Sequence, residues 1–487
     1  MVSYKPSYCQ LSPTLTISKV LTGLWQIADM ERDGKNLDLD STAASMAPYV
    51  HAGLTTFDMA DHYGSAELVA GIFRKKNPQL PVQLLTKWVP RPGQTTREEV
   101  RRAVERAAGR LQSNAIDLLQ FHAWNYADPN WLDCLYWLQE LKREGLILNL
   151  GLTNFDTAHL NIVVNSGIEV VSNQVCYSLL DQRASHGMTA LCTKYNVKML
   201  AFGTVAGGFL TERWLDKPAP REETTLTWSQ MKYKRFIDTA GGWEKFQMVL
   251  HTLHQVAKRH NVSIANVATR YILENPAVGG VIIGARLGLS DHIVENLKLF
   301  SFALDQPSKR EIALALAALE PIPGDCGDEY RRPPFLTATG DLSHHVDTIP
   351  PPYPAEEGKD GRAKALSGTV WEEMAGFSRA VRKGNRILVS GTTATHGTQA
   401  VGGQDAAAQT HFIIDKIEGA LQSLGGKLEE VVRTRIFVRN VSDWEAVARA
   451  HGERFKEIQP ANTLVKAEMI GDEYLVEMEA EAELSNS

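Results

Sequence analysis

The chain has 487 residues, with 51 Lys plus Arg against 57 Asp plus Glu, a formal charge of -6, 44% hydrophobic and 22% charged residues. Overall disorder is excluded, and because single cores stop growing at roughly 250–300 residues, at least two domains are required. The mildly acidic balance argues against a general polyanion binder, so no nucleic-acid partner is expected. Five cysteines (Cys9, Cys134, Cys176, Cys192, Cys326) are odd in number and widely spaced, without a metal-ligand pattern. They fit a reduced compartment and no metal site. There is no apolar run of about 18 residues, and the start lacks the basic and then apolar regions of a signal peptide. A cytoplasmic chain without membrane association is expected.

Short apolar runs alternate with amphipathic helical patterns from the N-terminus onward: KVLTGL (19–24), GLTTFD (53–58), VQLLTK (82–87), IDLLQFH (116–122), LNLGLTNF (148–155), VVSNQV (170–175), VKMLAF (197–202) and GGVIIGA (279–285). Between strands, Thr96-x-x-Glu99 reads as a capping box opening a helix with Val100, Ala103, Val104, Ala107 and Leu111 on one stripe. Eight strands over this length give the rhythm of an α/β chain closed into a (β/α)₈ barrel of the TIM type. An open doubly wound sheet is the other arrangement, but no G-x-G-x-x-G follows the first strand. The insertion at 211–236 follows the seventh strand and reads as a lid over a cofactor or as a surface excursion.

Between Pro321 and Pro354 lie eight of the chain's 21 prolines, a density that opposes regular structure. With the charged, small residues that follow, 321–367 reads as a spacer between a first domain, 1–320, and a second, 368–487. The second begins with the strand-like NRILVSG (385–391). A helix from about Asp405 to Leu424 follows, with Ile413, Ile417, Ala420, Leu421 and Leu424 in register and Gly425-Gly426 as its stop. VVRTRIFVRN then alternates as a strand, Ser442-x-x-Glu445 is expected to cap a helix carrying Trp444, Val447, Ala448 and Phe455, and YLVEMEAEAEL alternates at the end. A small α+β domain results.

Residues just past barrel strand ends converge on one mouth. Four polar residues hold such places: Asp58, Tyr63, Lys87 and His122. A phenol is a weak acid at neutral pH, and an adjacent ammonium is expected to lower its pKa. Lys87 would act so on Tyr63, Asp58 would hold Lys87, and His122 would orient a carbonyl oxygen. Taken singly, an Asp, Lys or His at a strand end is more often an ordinary ion pair or loop cap. Trp25, Trp88 and Trp124 lie close behind Gly23, Lys87 and His122 and would ring the mouth for a flat or apolar substrate, although core packing explains any one of them.

The series GLTTFDMADHYGSAE, LLTKW, IDLLQFH, GLTNF, VSNQV and VIIGAR...VEN resembles the motifs of the aldo-keto reductases over roughly 15–320. The resemblance implies hydride transfer from NADP(H), with NAD(H) the other candidate, to an aldehyde, ketone or imine-derived substrate, with Asp58, Tyr63, Lys87 and His122 as the catalytic tetrad. It further implies that Thr153, Asn154 and Gln174 bind the nicotinamide carboxamide and that Phe202 stacks on the ring. Gly23 and Gly203 would complete the cradle, and Arg286, Glu295 and Asn296 would hold the adenosine end. His292 stands where many relatives place an Arg against the 2′-phosphate, so preference for NADP rests on Arg286.

The segments VRKGNRILVSGTTATHG, AAQTHFIIDKIEGALQSLGGKLEEVVRTRIFVRNVSDW, HGERF, PANTLV and YLVEMEAEAEL resemble the Rid family (YjgF/YER057c/UK114), whose members commonly form trimers and whose active members hydrolyse enamines or imines. A homotrimer is therefore expected. The family's carboxylate-binding Arg would follow Pro460-Ala461, where this chain has Asn462; an amide carries no charge, which argues against ordinary imine hydrolysis. His396, His411, Arg435, Glu477 and Glu479 remain as polar candidates. The readings carried forward are a reductase with an assembly or ligand-handling module, a bifunctional imine hydrolase plus reductase, and a nucleotide-binding scaffold without catalysis.

Overall fold

The computed structural model describes residues 4–27, 37–221, 226–332 and 342–485. Eight parallel strands close into a barrel in strict chain order: β1 (Val20–Gly23), β2 (Thr56–Asp58), β3 (Gln83–Trp88), β4 (Leu118–Phe121), β5 (Leu150–Thr153), β6 (Ser172–Cys176), β7 (Lys198–Phe202) and β8 (Val278–Gly284), with β8 pairing back to β1. Each falls within or beside one of the eight apolar runs of the sequence. These strands are buried on both faces, which is why they read as continuous apolar runs rather than as alternation. The helix Arg97–Arg110 starts at the expected capping box, Thr96 and Glu99 bonding each other's backbone, and buries Val100, Ala103, Val104 and Ala107.

An N-terminal hairpin (Tyr8–Ser12 with Leu15–Ser18) meets the start of β2, where Ser18 N donates to Thr56 Oγ1 at 2.8 Å. Its Leu11, Leu15 and Ile17 pack with Leu21, Leu85, Leu118 and Leu200 from the strands. Apolar closure at this end leaves the strand C-termini as the polar end.

The second sheet runs β9 (Ala355–Glu357), β10 (Arg362–Ala365), β11 (Ala380–Lys383), β12 (Arg386–Thr393), then β15 (Val476–Glu483), β13 (Val431–Val438) and β14 (Ala461–Lys466), antiparallel except for β13 with β14. The helix Ala406–Ser423, capped by Asp405 and ended by Gly425 at φ 77°, is as expected. The next helix differs: Ser442 lies in a 3-10 turn, no side-chain cap forms, and the helix spans Trp444–Phe455. Val447, Ala450 and Phe455 face inward, whereas Trp444 and Ala448 are exposed, so the buried stripe is rotated from the expected one.

The Pro-rich connector is more ordered than its composition implied. Residues 333–341 lie outside the described residues, but Asp328–Arg331 form a helical turn and β9 and β10 extend the second sheet. The prolines stop at Pro354, so nothing after it prevents ladder pairing. Helix Ala406–Ser423 packs against the barrel helix Thr157–Asn165, with Gly403 and Gly419 permitting approach: a Cβ there would lie 2.5 Å from Asn165 O and 2.3 Å from Ala127 O.

Among the described residues, no helix is long and apolar enough to cross a membrane.

Candidate active site

Asp58 ends β2, Lys87 lies in β3 and His122 follows β4, so parallel register carries all three to the polar end; all are buried. Lys87 Nζ donates to Asp58 Oδ2 at 2.5 Å and to Met59 O at 2.9 Å. Asp58 Oδ1 accepts from Gln120 Nε2 at 3.1 Å and Gln174 Nε2 at 2.7 Å. The carboxylate is thus fully engaged and fixes the lysine. Lys87 Nζ also lies 5.1 Å from the Tyr63 ring centroid, close enough for its charge to act on the phenol.

Burial lowers the Lys87 ammonium, but Asp58 and Tyr63 outweigh it and its pKa is raised. For Tyr63, desolvation raises the pKa above 10 and Lys87 offsets only part of the rise. The expected acidification is therefore reversed in the protein alone: the phenol keeps its proton at neutral pH, and Lys87 limits the rise. Burial, and then the charge of Arg331, hold His122 well below its ordinary 6.5, so the imidazole is neutral. Its Nδ1 is 3.4 Å from Thr153 O, and its buried Nε2 has no partner among the described residues.

Trp25 stands edge-on to Tyr63 at 4.9 Å, and Trp124, anchored by Nε1 to Pro90 O at 2.7 Å, packs on His122 at 4.4 Å. These two flank the acid and the imidazole. Trp88 packs in the barrel wall, 5.4 Å from Phe121, and its ring touches neither group among the described residues.

The residues expected to hold a cofactor line the neighbouring arc. Thr153 Oγ1 donates to Gln174 O at 3.4 Å, and the Gln174 amide is directed to Asp58 and to Gln120, 2.8 Å away, rather than outward. Asn154, at φ 59°, leaves its buried Oδ1 unpartnered among the described residues. Gly23 packs on β8, where a Cβ would meet Ile282 at 2.8 Å. Gly203 has φ 78°, and a Cβ there would lie 2.2 Å from Tyr233 Oη, so only glycine admits the insertion's helix Trp228–Thr239. Phe202 ends β7 with Lys232 Nζ 5.0 Å from its ring. Farther round, Arg286 is exposed, Asn296 lies in the helix Ile293–Lys298, and Glu295 binds Lys298 at 3.0 Å while its Oε1 is buried without a hydrogen-bond partner among the described residues. An open amide acceptor at Asn154, an aromatic face at Phe202 and a glycine cradle fit a nicotinamide dinucleotide.

The insertion's helix packs on this arc through Tyr233 at Gly203 and Lys232 at Phe202, although residues 222–225 lie outside the described residues. Sequence reasoning missed its partner, the connector. Lys232 Nζ meets Tyr330 Oη at 2.8 Å, Arg183 pairs with Asp181 at 2.7 Å and Glu329 at 2.9 Å, and Thr157 N donates to Asp325 Oδ2 at 2.9 Å. The Tyr330 ring lies 6.1 Å from His122. Gln120 was also missed; it lies two residues before His122, so strand alternation places it on the same face.

In the second domain, Asn462 Nδ2 donates to Thr434 Oγ1 at 2.9 Å. His396 meets Asp133 of the barrel at 2.8 Å, His411 is near Glu453 at 3.2 Å, and Arg435 pairs with Glu479 at 2.8 Å. Burial, then Glu479, raise the Glu477 carboxyl. These groups are dispersed rather than joined in one site. The domain junction holds a buried ionic cluster: His159 lies between Asp156 (2.6 Å) and Asp415 (2.8 Å), and Arg454 joins Asp415 at 2.6 Å.

Residues 19–315 match the model of the aldo/keto reductase family, and residues 370–484 match that of Endoribonuclease L-PSP. The barrel region is similar to the NADH-specific methylglyoxal reductase of Escherichia coli, 23% identical over 62% of this chain and 96% of that protein. A glycerol dehydrogenase from Gluconobacter oxydans has a like fold, with 20% identity, 67% of this chain and 98% of that one covered, and a TM-score of 0.52. The C-terminal part is 40% identical to a YjgF/YER057c/UK114 family member from Mycobacterium tuberculosis, covering 25% of this chain and 99% of that one at a TM-score of 0.24. The first family model spans more than half of the chain, which therefore belongs to the aldo/keto reductase family, an oxidoreductase barrel joined to a Rid-type domain.

Proposed function

We propose that the protein reduces an aldehyde, ketone or imine-derived substrate with NAD(P)H, Tyr63 giving the proton. The observation that carries this is the buried network in which Gln120 and Gln174 fix Asp58 and Asp58 fixes Lys87, with the protonated Tyr63 phenol under the charge of Lys87 and a neutral His122 imidazole with an open Nε2 at the same end of the barrel. The bound dinucleotide would supply hydride to the carbonyl carbon. Oxygen gains negative charge as that bond forms; Tyr63 Oη passes its proton to it, and Lys87, held by Asp58 and Met59 O, stabilises the phenolate left behind. In the tautomer with its one proton on Nε2, giving up the long Nδ1 contact to Thr153 O, His122 would donate to the same oxygen and orient it. Asn154 would take the carboxamide and Phe202 the ring face; Gly23, Gly203 and Gln174 shape the cradle, and Arg286, Glu295 and Asn296 would hold the adenosine end. Arg286 favours NADP.

Following the reduced-nicotinamide absorbance with NADPH and then NADH against a panel of aldehydes, ketones and cyclic imines tests the reading. Sustained, carbonyl-dependent oxidation supports it, and none across the panel leaves the non-catalytic nucleotide-binding scaffold. For residues 368–487 we propose assembly or ligand handling rather than ordinary imine hydrolysis, with 321–367 as the tether. The engaged amide of Asn462 and the exposed Leu388, Val432 and Val465 of the sheet support this. A homotrimer is the proposed assembly, and light scattering that gives a monomer contradicts it. Five free cysteines fit the proposed cytoplasmic setting.

A further inference from the structure

The connector brings a further cation, Arg331, to the barrel mouth, and the reductase reading has no task for it. Arg331 is 9% exposed, and among the described residues neither Nη1 nor Nη2 has a hydrogen-bond partner. Only Nε is engaged, donating to Ala123 O at 2.8 Å, while the guanidinium lies 4.3 Å from the Tyr126 ring centroid. The neighbouring carboxylates are used elsewhere. Asp156 receives His159 Nδ1 through both oxygens, at 2.6 and 2.8 Å. Asp328 accepts from Asp325 N at 2.9 Å and faces Arg332 at 3.7 Å. A buried guanidinium with two free donor groups is costly unless an acceptor meets it.

Two more unpartnered buried atoms belong to residues that adjoin the contacts of Arg331. His122 Nε2 belongs to the residue preceding Ala123, whose carbonyl holds Arg331. Asn154 contributes Oδ1, and a Cβ on Gly327 would lie 2.1 Å from Asn154 O and 2.5 Å from Arg331 Nη1, so glycine lets the connector seat against the barrel here. With Asn154 given to the carboxamide, the groups left open are a neutral imidazole suited to one oxygen and a planar fork with two parallel donors. A carboxylate matches that fork, because it offers two coplanar oxygens and a compensating charge. A carboxamide has a single oxygen and no charge.

We propose that Arg331 anchors a carboxylate of the substrate, so that the reductase acts on carbonyl compounds carrying an acid group. This rests on the reduction at Tyr63 proposed above. The connector then has a part in recognition as well as in joining the domains.

The test uses the full chain and two matched pairs, 4-carboxybenzaldehyde with methyl 4-formylbenzoate and phenylglyoxylate with its methyl ester. The wild type should prefer an acid over its ester by about tenfold or more in kcat/KM, and Arg331→Met should lower the acid by about 10- to 100-fold while the ester stays within about threefold. Arg331→Lys, which keeps the charge and loses the fork, should fall between and guards against misfolding. Binding is read separately by tryptophan fluorescence with the oxidised dinucleotide, which allows no reduction: the wild type should bind 4-carboxybenzaldehyde and Arg331→Met should lose that binding. Equal handling of acid and ester by the wild type, or an equal loss of both in Arg331→Met, overturns the proposal and leaves Arg331 as a brace between domains. If no carbonyl compound is reduced but acid binding still depends on Arg331, the reductase reading has failed and the anchor stands.

Discussion

Replacing Asp415 by Asn tests how the two domains are held together. Asp415 is 1% exposed, accepts from His159 Nε2 of the barrel at 2.8 Å and from Arg454 of its own domain at 2.6 Å. The amide is nearly isosteric but leaves both cations short of a counter-charge. Burial alone would lower the His159 pKa, yet Asp156 and Asp415 raise it from 6.5 to about 9, a shift equivalent to ~3 kcal/mol. Breaking one side of a buried pair costs about 3–5 kcal/mol, so Asp415→Asn should destabilise the docked state by that amount. The folded His159 pKa is raised, so its contribution is complete below about pH 6.5 and is lost as pH rises through 9. The Asp415 pKa is lowered in the fold, so its contribution is present above about pH 4 and is lost as pH falls. The difference between wild type and variant should therefore be largest between about pH 4 and 6.5 and should shrink toward pH 9.5. Urea unfolding at several pH values measures it, with limited proteolysis of the connector reporting undocking. A variant whose midpoint matches the wild type at pH 6, or whose deficit does not change with pH, refutes this account of the junction.

The remaining expectations concern the barrel. Because Tyr63 is raised above 10 and His122 is neutral, carbonyl reduction should be level from about pH 6 to 9 and fall only as the phenol ionises; a pH–rate profile peaking below neutrality contradicts this. Lys87→Met should lower kcat by about 10²- to 10⁴-fold with little change in the Kd of the dinucleotide, read by fluorescence titration. Gly203→Ala sets a methyl 2.2 Å from Tyr233 Oη at φ 78° and should cost about 1–3 kcal/mol in thermal unfolding while raising KM for the dinucleotide through displacement of the lid.

The barrel was legible because each strand is a short apolar run and the helix Arg97–Arg110 keeps its stripe and capping box, signals that survive without tertiary information. The same locality revealed Asp58, Tyr63, Lys87 and His122, since each follows or ends a run. What the sequence hid depends on distance in the chain. Arg331 and Tyr330 sit in a Pro-rich stretch that reads as spacer, and only the folded chain brings them 208 and 98 residues back to Ala123 and Lys232. His159 reads as an ordinary helical residue, because its second carboxylate partner is 256 residues away. The sign of the Tyr63 shift was hidden for a related reason: proximity to Lys87 can be inferred from motifs, but the desolvation that outweighs it comes from the whole mouth. Ser442 failed as a cap because a 3-10 turn delayed the helix start.

The central claim is that Tyr63 is the proton donor in carbonyl reduction, and single-turnover reduction by Tyr63→Phe measures it most directly. The account predicts loss of about 10²-fold or more in the hydride-transfer rate with dinucleotide affinity preserved. A Tyr63→Phe protein that reduces its substrate at the wild-type rate would contradict it.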